Sequence, residues 1–121
     1  MRLKRKILVI EDDLSIAGSL KKELEAEAYE VALATQGEEG LELAKHQFFD
    51  VVVTDLKMPG LSGSDLVRQL RCAQPNLPVI VMTAFGTRET VVEANQIGVH
   101  GFLPKPFEMS ELLELVASAM I

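Results

Sequence analysis

Residues 7–13 read ILVIEDD: four apolar side chains run straight into three carboxylates. The apolar half has the length and β-branched content of a strand buried on both faces, as in a parallel sheet. The acidic half poses an electrostatic problem, because neighbouring like charges repel and raise one another's pKa. Water, a nearby lysine or arginine, a helix N-terminus or a divalent cation must offset that repulsion.

Similar apolar runs recur at 51–53 (VVV) and 79–82 (VIVM), and a weaker one at 31–34 (VALA). A fifth, Phe102-Leu103, is inferred partly from its place in the order. Helical patterns fill the gaps. Residues 14–28 carry Ile16, Leu20 and Leu24 at spacings of four, with Asp13 or Ser15 as the cap. Residues 37–47 place Leu41 and Ala44 on one side, with Thr35 or Gln36 at the entry. Residues 64–73 carry Leu66, Val67 and Leu70. Thr87 caps a helix ending near residue 97, and Gly98 fits the left-handed position that follows. The last helix spans 110–120, with Leu112, Leu113, Val116 and Ala117. Strand and helix thus alternate five times, which predicts a doubly wound α/β fold. Its parallel sheet would be covered on both faces and joined by right-handed crossovers. The 121 residues suit one domain over 1–121, and no linker or low-complexity tract divides them.

The net charge of −6 argues against a broad basic surface, so direct nucleic-acid binding by this domain is not expected. Cys72 is the single cysteine, which rules out a disulfide within the chain and suits a reducing cytosol. The apolar run at 7–10 falls short of the roughly 7–15 residues of a signal-peptide core. No stretch approaches the ~18 apolar residues of a membrane span. The expectation is a cytoplasmic protein without membrane association.

In open α/β sheets ligands bind beyond the carboxyl ends of the strands. Those ends here are Glu11-Asp12-Asp13, Asp55, Thr83-Ala84 and Lys105-Pro106. Each has a plain alternative: the acids as a solvated helix cap, Asp55 as a turn residue, Thr83 as a local hydrogen-bonder, Lys105 as a solvated cation. Their coincidence on one predicted edge carries the argument. Carboxylates with open water positions suit Mg²⁺. A carboxylate can attack phosphorus to give an aspartyl phosphate, and a lysine with a divalent ion can neutralise the group in flight. A hydroxyl can then hydrogen-bond the product. The residues themselves point to Mg²⁺-dependent phosphorylation of Asp55.

Four blocks, ILVIEDD (7–13), VVVTDLKMPGLSG (51–63), VIVMTAFG (79–86) and GFLPKPF (101–107), resemble in order and spacing the receiver domain of two-component response regulators. The resemblance covers essentially the whole chain. It implies the flavodoxin-like strand order 2-1-3-4-5 and makes Asp55 the phosphoacceptor. Glu11 and Asp12 match the acidic pair that holds Mg²⁺, Asp12 directly and Glu11 through water. Asp13 becomes a supporting or helix-capping residue. The backbone carbonyl of Lys57 matches the third protein ligand. Thr83 matches the switch hydroxyl, Ala84 the small residue whose amide meets the phosphoryl group, and Phe102 the aromatic rotamer switch. Lys105 matches the lysine that pairs with the phosphorylated aspartate, and Lys105-Pro106 the usual cis bond. Pro59, Gly60 and Gly63 match the loop after the phosphoacceptor. Lys57 and Phe85 match positions that tune phosphate lifetime.

The implied partner is a sensor histidine kinase or phosphotransfer protein. Its phosphohistidine would supply Asp55, and the altered face of the fourth helix, fifth strand and fifth helix would control an output domain or partner protein outside this chain, with transcription as the output. A homodimer is also compatible with the resemblance, on that face or elsewhere. Residues 82–107 look especially like receivers of σ54-dependent transcriptional activators. The implied protein is a switch that supports its own phosphorylation and slow autodephosphorylation, rather than an enzyme.

The alternative within the family is a pseudo-receiver that binds partners without phosphate, although every position needed for chemistry is filled. A flavin or nucleotide binder would want a Gly-rich loop where Glu-Asp-Asp stands. A phosphatase acting on external substrates would want an acid–base residue, yet neither His46 nor His100 ends a strand. His46, Glu38-Glu39 and Lys21-Lys22 read as helix surface, residues 2–6 as a segment that frays or flanks the first strand, and Met58 as a loop contact near the site.

Overall fold

The structure, a computed structural model, describes residues 4–56, 58, 60–84 and 88–120; Lys57, Pro59, Phe85 and the expected Thr87 cap lie outside the described residues. Ten elements alternate along the chain: β1 (Lys6–Ile10), α1 (Leu14–Ala26), β2 (Glu30–Ala34), α2 (Gly37–His46), β3 (Val51–Asp55), α3 (Gly63–Ala73), β4 (Val79–Thr83), α4 (Arg88–Ile97), β5 (Gly101–Pro104) and α5 (Met109–Ala119). The five strands pair in parallel in the order β2-β1-β3-β4-β5. Both the alternation and the order match the expectation.

Two apolar cores lie on opposite faces of this sheet, because successive strand residues point to opposite sides. Leu8, Ile10, Val52, Val79 and Val81 pack with Leu41 of α2 and Leu66 and Leu70 of α3. Ile7, Val9, Val53, Ile80 and Met82 pack with Leu20 and Leu24 of α1 and Leu112 and Val116 of α5. Both sides of the central strands are therefore buried, which is why their sequences are continuously apolar rather than alternating. The edge strands β2 and β5 are only partly covered, which explains their weaker sequence signal.

The helix ends were less predictable. Asp13, not Ser15, caps α1: its Oδ1 accepts from the Ser15 and Ile16 N–H groups at 3.0 and 3.1 Å. That helix stops at Ala26, two residues short of the expected 28, and Ala28 adopts a left-handed φ of 68°. Gln36 precedes α2 without a side-chain cap, and α3 starts at Gly63 after a Ser62 cap. Glu108 and Glu111 form a reciprocal capping box that starts α5 one residue before the expected position. Gly98 follows α4 with φ 73°, as expected.

Two side chains from the end of α3 close neighbouring helices. The Arg71 guanidinium donates to the carbonyls of Ile97 and Gly98 at 2.6 and 2.5 Å, placing a cation at the negative end of α4. The Gln74 amide donates to the carbonyls of Ala44 and Gln47, both at 2.8 Å, at the end of α2. Cys72 is exposed on α3. Among the described residues, no helix is long and apolar enough to cross a membrane.

Candidate functional site

Strand register builds the site. Ile10 lies opposite Thr54, so Glu11 and Asp55 leave their strands side by side. Asp55 pairs with Met82, which puts Thr83 one step further, and Thr83 pairs with Pro104, which puts Lys105 one step further again. Four polar side chains from four strands therefore step across one edge of an otherwise apolar sheet. Glu11, Asp55 and Thr83 are buried, and Asp12 is exposed at the rim.

Carboxylate oxygens of Glu11, Asp12 and Asp55 all lie within 4.8 Å of one another. The Lys105 ammonium donates to Glu11 Oε1 at 2.6 Å and to Asp55 Oδ2 at 3.0 Å. The other Glu11 oxygen accepts from the Asp13 N–H at 3.2 Å. A lysine and a backbone amide thus supply part of the compensation that the acidic run requires. Asp13 itself turns toward the start of α1, consistent with the capping role considered for it.

Burial is the largest influence on both members of the Glu11–Lys105 pair. It pushes the Glu11 carboxyl above its ordinary value, and the Lys105 hydrogen bond and the Asp13 amide only partly restrain it. For Lys105 burial acts downward, but the hydrogen bonds to Glu11 and Asp55 outweigh it and leave the ammonium above the usual lysine value. The rise of the lysine follows from its two carboxylate contacts, and that of the glutamate from its burial.

The remaining predicted residues take these places. The Lys105 N–H donates to the Thr83 carbonyl at 2.7 Å, and the Lys105-Pro106 bond is cis. Ala84 is exposed directly after β4. Phe102, opposite Val81, is half-buried against the core shared by α2 and α3. Met58 packs against the same core. His46 is exposed and pairs with Glu42 on its own helix, and His100 contacts Ser118. Neither joins the acidic cluster.

Sequence reasoning missed two contacts beside the site. The wholly buried Thr54 donates its hydroxyl to the Asp55 carbonyl at 3.1 Å. Glu38, read as helix surface, accepts from the Leu61 N–H at 3.3 Å. A threonine in a β-rich run and a glutamate in a helix's first turn carry no local sign of such contacts.

The donor set is all oxygen, partly buried and open to solvent at Asp12, which fits a small hard cation such as Mg²⁺.

The response regulator receiver domain family matches residues 7–117. The chain is 39% identical over 114 residues to the uncharacterized transcriptional regulatory protein YkoG of Bacillus subtilis, covering 94% of this chain and 50% of that protein. It is 37% identical over 112 residues to the response regulator protein FleR of Pseudomonas aeruginosa, covering 93% of this chain and 24% of that protein. The chain therefore spans about a half and a quarter of these relatives' lengths. Among solved structures, a receiver domain protein from Methanospirillum hungatei superposes with a TM-score of 0.92 at 30% identity, covering 97% of this chain and 94% of that one. A receiver domain from Clostridium thermocellum gives a TM-score of 0.90 at 35% identity, covering 96% of this chain and 94% of that one. With the fold, the strand order and the family match in agreement, this chain belongs to the response regulator receiver domain family.

Proposed function

We propose that residues 1–121 act as one receiver domain in which Asp55 accepts a phosphoryl group from the phosphohistidine of a sensor histidine kinase or phosphotransfer protein. The observation that carries this reading is the gathering of Glu11, Asp12 and Asp55 within 4.8 Å, with Lys105 hydrogen-bonded to two of them. An Asp55 carboxylate oxygen attacks phosphorus. The P–N bond breaks, and its electron pair returns to the imidazole nitrogen.

Glu11, Asp12 and Asp55 would hold Mg²⁺, with the Lys57 carbonyl as the further ligand implied by the family. Bound there, the ion supplies positive charge against the anionic phosphoryl oxygens. Lys105 starts 3.0 Å from the Asp55 carboxylate and pairs with the new phosphoryl oxygens. The Thr83 hydroxyl and the Ala84 amide offer further hydrogen bonds.

The added negative charge biases a two-state element. Thr83 moves toward the phosphoryl group, Phe102 turns inward, and the face of α4, β5 and α5 changes shape. An output domain or partner protein would read that change, with transcription as the output as in the transcriptional regulatory protein YkoG, and a homodimer could form on the same face. The domain supports its own phosphorylation and slow dephosphorylation while acting as a cytoplasmic switch.

Intact mass after incubation with acetyl phosphate, with and without Mg²⁺, tests the reading. One Mg²⁺-dependent phosphoryl adduct is expected on the unaltered chain and none on Asp55→Asn. An adduct that survives this substitution would overturn the assignment. No adduct from either acetyl phosphate or a phosphorylated histidine donor would favour phosphate-independent binding.

A further inference from the structure

The loop between Asp55 and α3 is fastened at both ends. At its start, the Leu56 N–H donates to the Met82 carbonyl at 3.3 Å. At its end, the Leu61 N–H donates to Glu38 Oε1 across 23 residues of sequence. The neighbouring Glu39 behaves differently: it accepts from the Thr35 N–H at 2.7 Å, four residues away, and so serves its own helix. Only one of two adjacent, chemically identical side chains reaches another element in these two contacts.

Packing aims Glu38 at that loop. A Cβ at Gly37 would lie 3.4 Å from Leu66 Cδ2 and 3.7 Å from Leu61 Cβ, so the first turn of α2 sits close against α3 and the loop. Gly60 has φ 93°, and a Cβ there would lie 3.2 Å from Glu38 Oε1. The left-handed turn thus lets the chain run close beside the carboxylate. Asp12, Leu14, Gln36, Glu38 and Gly60 together line a cleft of ≈ 670 Å³. Asp12 of the acidic cluster and Glu38, which holds Leu61, therefore border the same cleft.

We propose that Glu38 is a positioning residue, which holds the loop after Asp55 through Leu61 and thereby sets the affinity of the Glu11–Asp12–Asp55 cluster for a divalent cation. The inference rests on reading that cluster as the Mg²⁺ site. A side-chain acceptor oxygen suits the task because it satisfies the Leu61 N–H, and such outer contacts commonly tune metal affinity. Glu38 acts through the loop and need not touch the ion.

The test compares Glu38→Ala and Glu38→Gln with the unaltered chain by titration calorimetry with MgCl₂ and by the exchange rate of the Leu61 amide. Glu38→Ala is expected to speed Leu61 exchange and raise the Mg²⁺ Kd by about three- to tenfold, the range of one modest hydrogen bond. Glu38→Gln keeps an acceptor oxygen and should restore most of both. Equal weakening in the two variants would overturn the proposal, because charge alone would then explain the effect. An unchanged Kd or unchanged Leu61 exchange in Glu38→Ala would overturn it as well. If the unaltered chain bound no Mg²⁺, the cluster assignment and this inference would both fall, an outcome visible before any variant is made.

Discussion

The Lys105 ammonium reaches Glu11 Oε1 at 2.6 Å across 94 residues of sequence, closer than its 3.0 Å contact with Asp55. The lysine is thus engaged with an acid of β1 as well as with the phosphoacceptor candidate. Removing it would leave three carboxylates facing one another. Lys105→Met should therefore destabilise the metal-free protein by roughly 3 kcal/mol, as for other broken buried pairs. Urea unfolding in EDTA measures this, and MgCl₂ should narrow the gap by replacing the missing positive charge. A variant as stable as the unaltered chain in EDTA would show that the lysine compensates little.

The pH dependence separates the two partners. A carboxyl raised above its unfolded value binds its proton more tightly in the folded state, so Glu11 favours folding as pH falls through that window and opposes it at higher pH. For Lys105, also raised, the stabilisation is fully present below the ordinary lysine value and is lost as pH rises through the folded value. In EDTA, Glu11→Gln should remove the gain in stability seen on acidifying from neutral pH toward the ordinary glutamate range. The alkaline loss should remain through Asp55. Parallel pH profiles for the variant and the unaltered chain would contradict the assignment to Glu11.

Gly63 opens α3 directly against the residue that follows Asp55. A Cβ there would lie 2.4 Å from Leu56 Cδ1 and 2.5 Å from the Leu56 carbonyl oxygen. The backbone atom cannot swing aside as a side chain can. Gly63→Ala should cost roughly 1–3 kcal/mol through overpacking, read from the urea midpoint. An alanine variant with an unshifted midpoint would mean that the loop adjusts freely.

Arg71 places its guanidinium on the last carbonyls of α4, with contacts of 2.6 and 2.5 Å. Arg71→Ala should lower stability by about 1–2 kcal/mol, from two charge-assisted hydrogen bonds and the helix-end charge, partly screened by solvent. Amide exchange at the end of α4 should quicken. Arg71→Lys should recover only part, because a single ammonium lacks the planar fork. Full recovery by lysine would assign the effect to charge alone.

The legible parts of the fold were those whose cause is local. In β1, β3 and β4, continuous apolar runs report burial on both faces, since every residue must suit one core or the other. At the edges this report weakens, and Phe102-Leu103 gained its meaning from position in the order. Asp13 could be recognised as a candidate cap, but the choice between Asp13 and Ser15 depended on which oxygen reached the first amides. The early end of α1 at Ala26 turned on one left-handed residue, Ala28, whose side chain does not advertise it.

The site divides in the same way. Acids, a hydroxyl and an amine at strand ends could be read as neighbours once the strands were taken as parallel, because a parallel sheet aligns all carboxyl ends. Their particular partners could not. That Lys105 engages Glu11 as well as Asp55, that Glu38 holds Leu61 while Glu39 serves its own helix, and that Arg71 and Gln74 close neighbouring helices all depend on contacts between distant segments.

By itself, the sequence determined the alternation of strands and helices, the burial of the central strands and the family to which the chain belongs. Periodicity and chain order are written in neighbouring residues, and burial acts on each of them. Tertiary structure alone decided which charges meet. An ion pair or a loop tether depends on an ångström-scale distance between separate elements, and strand register and helix packing set that distance only after the chain has folded.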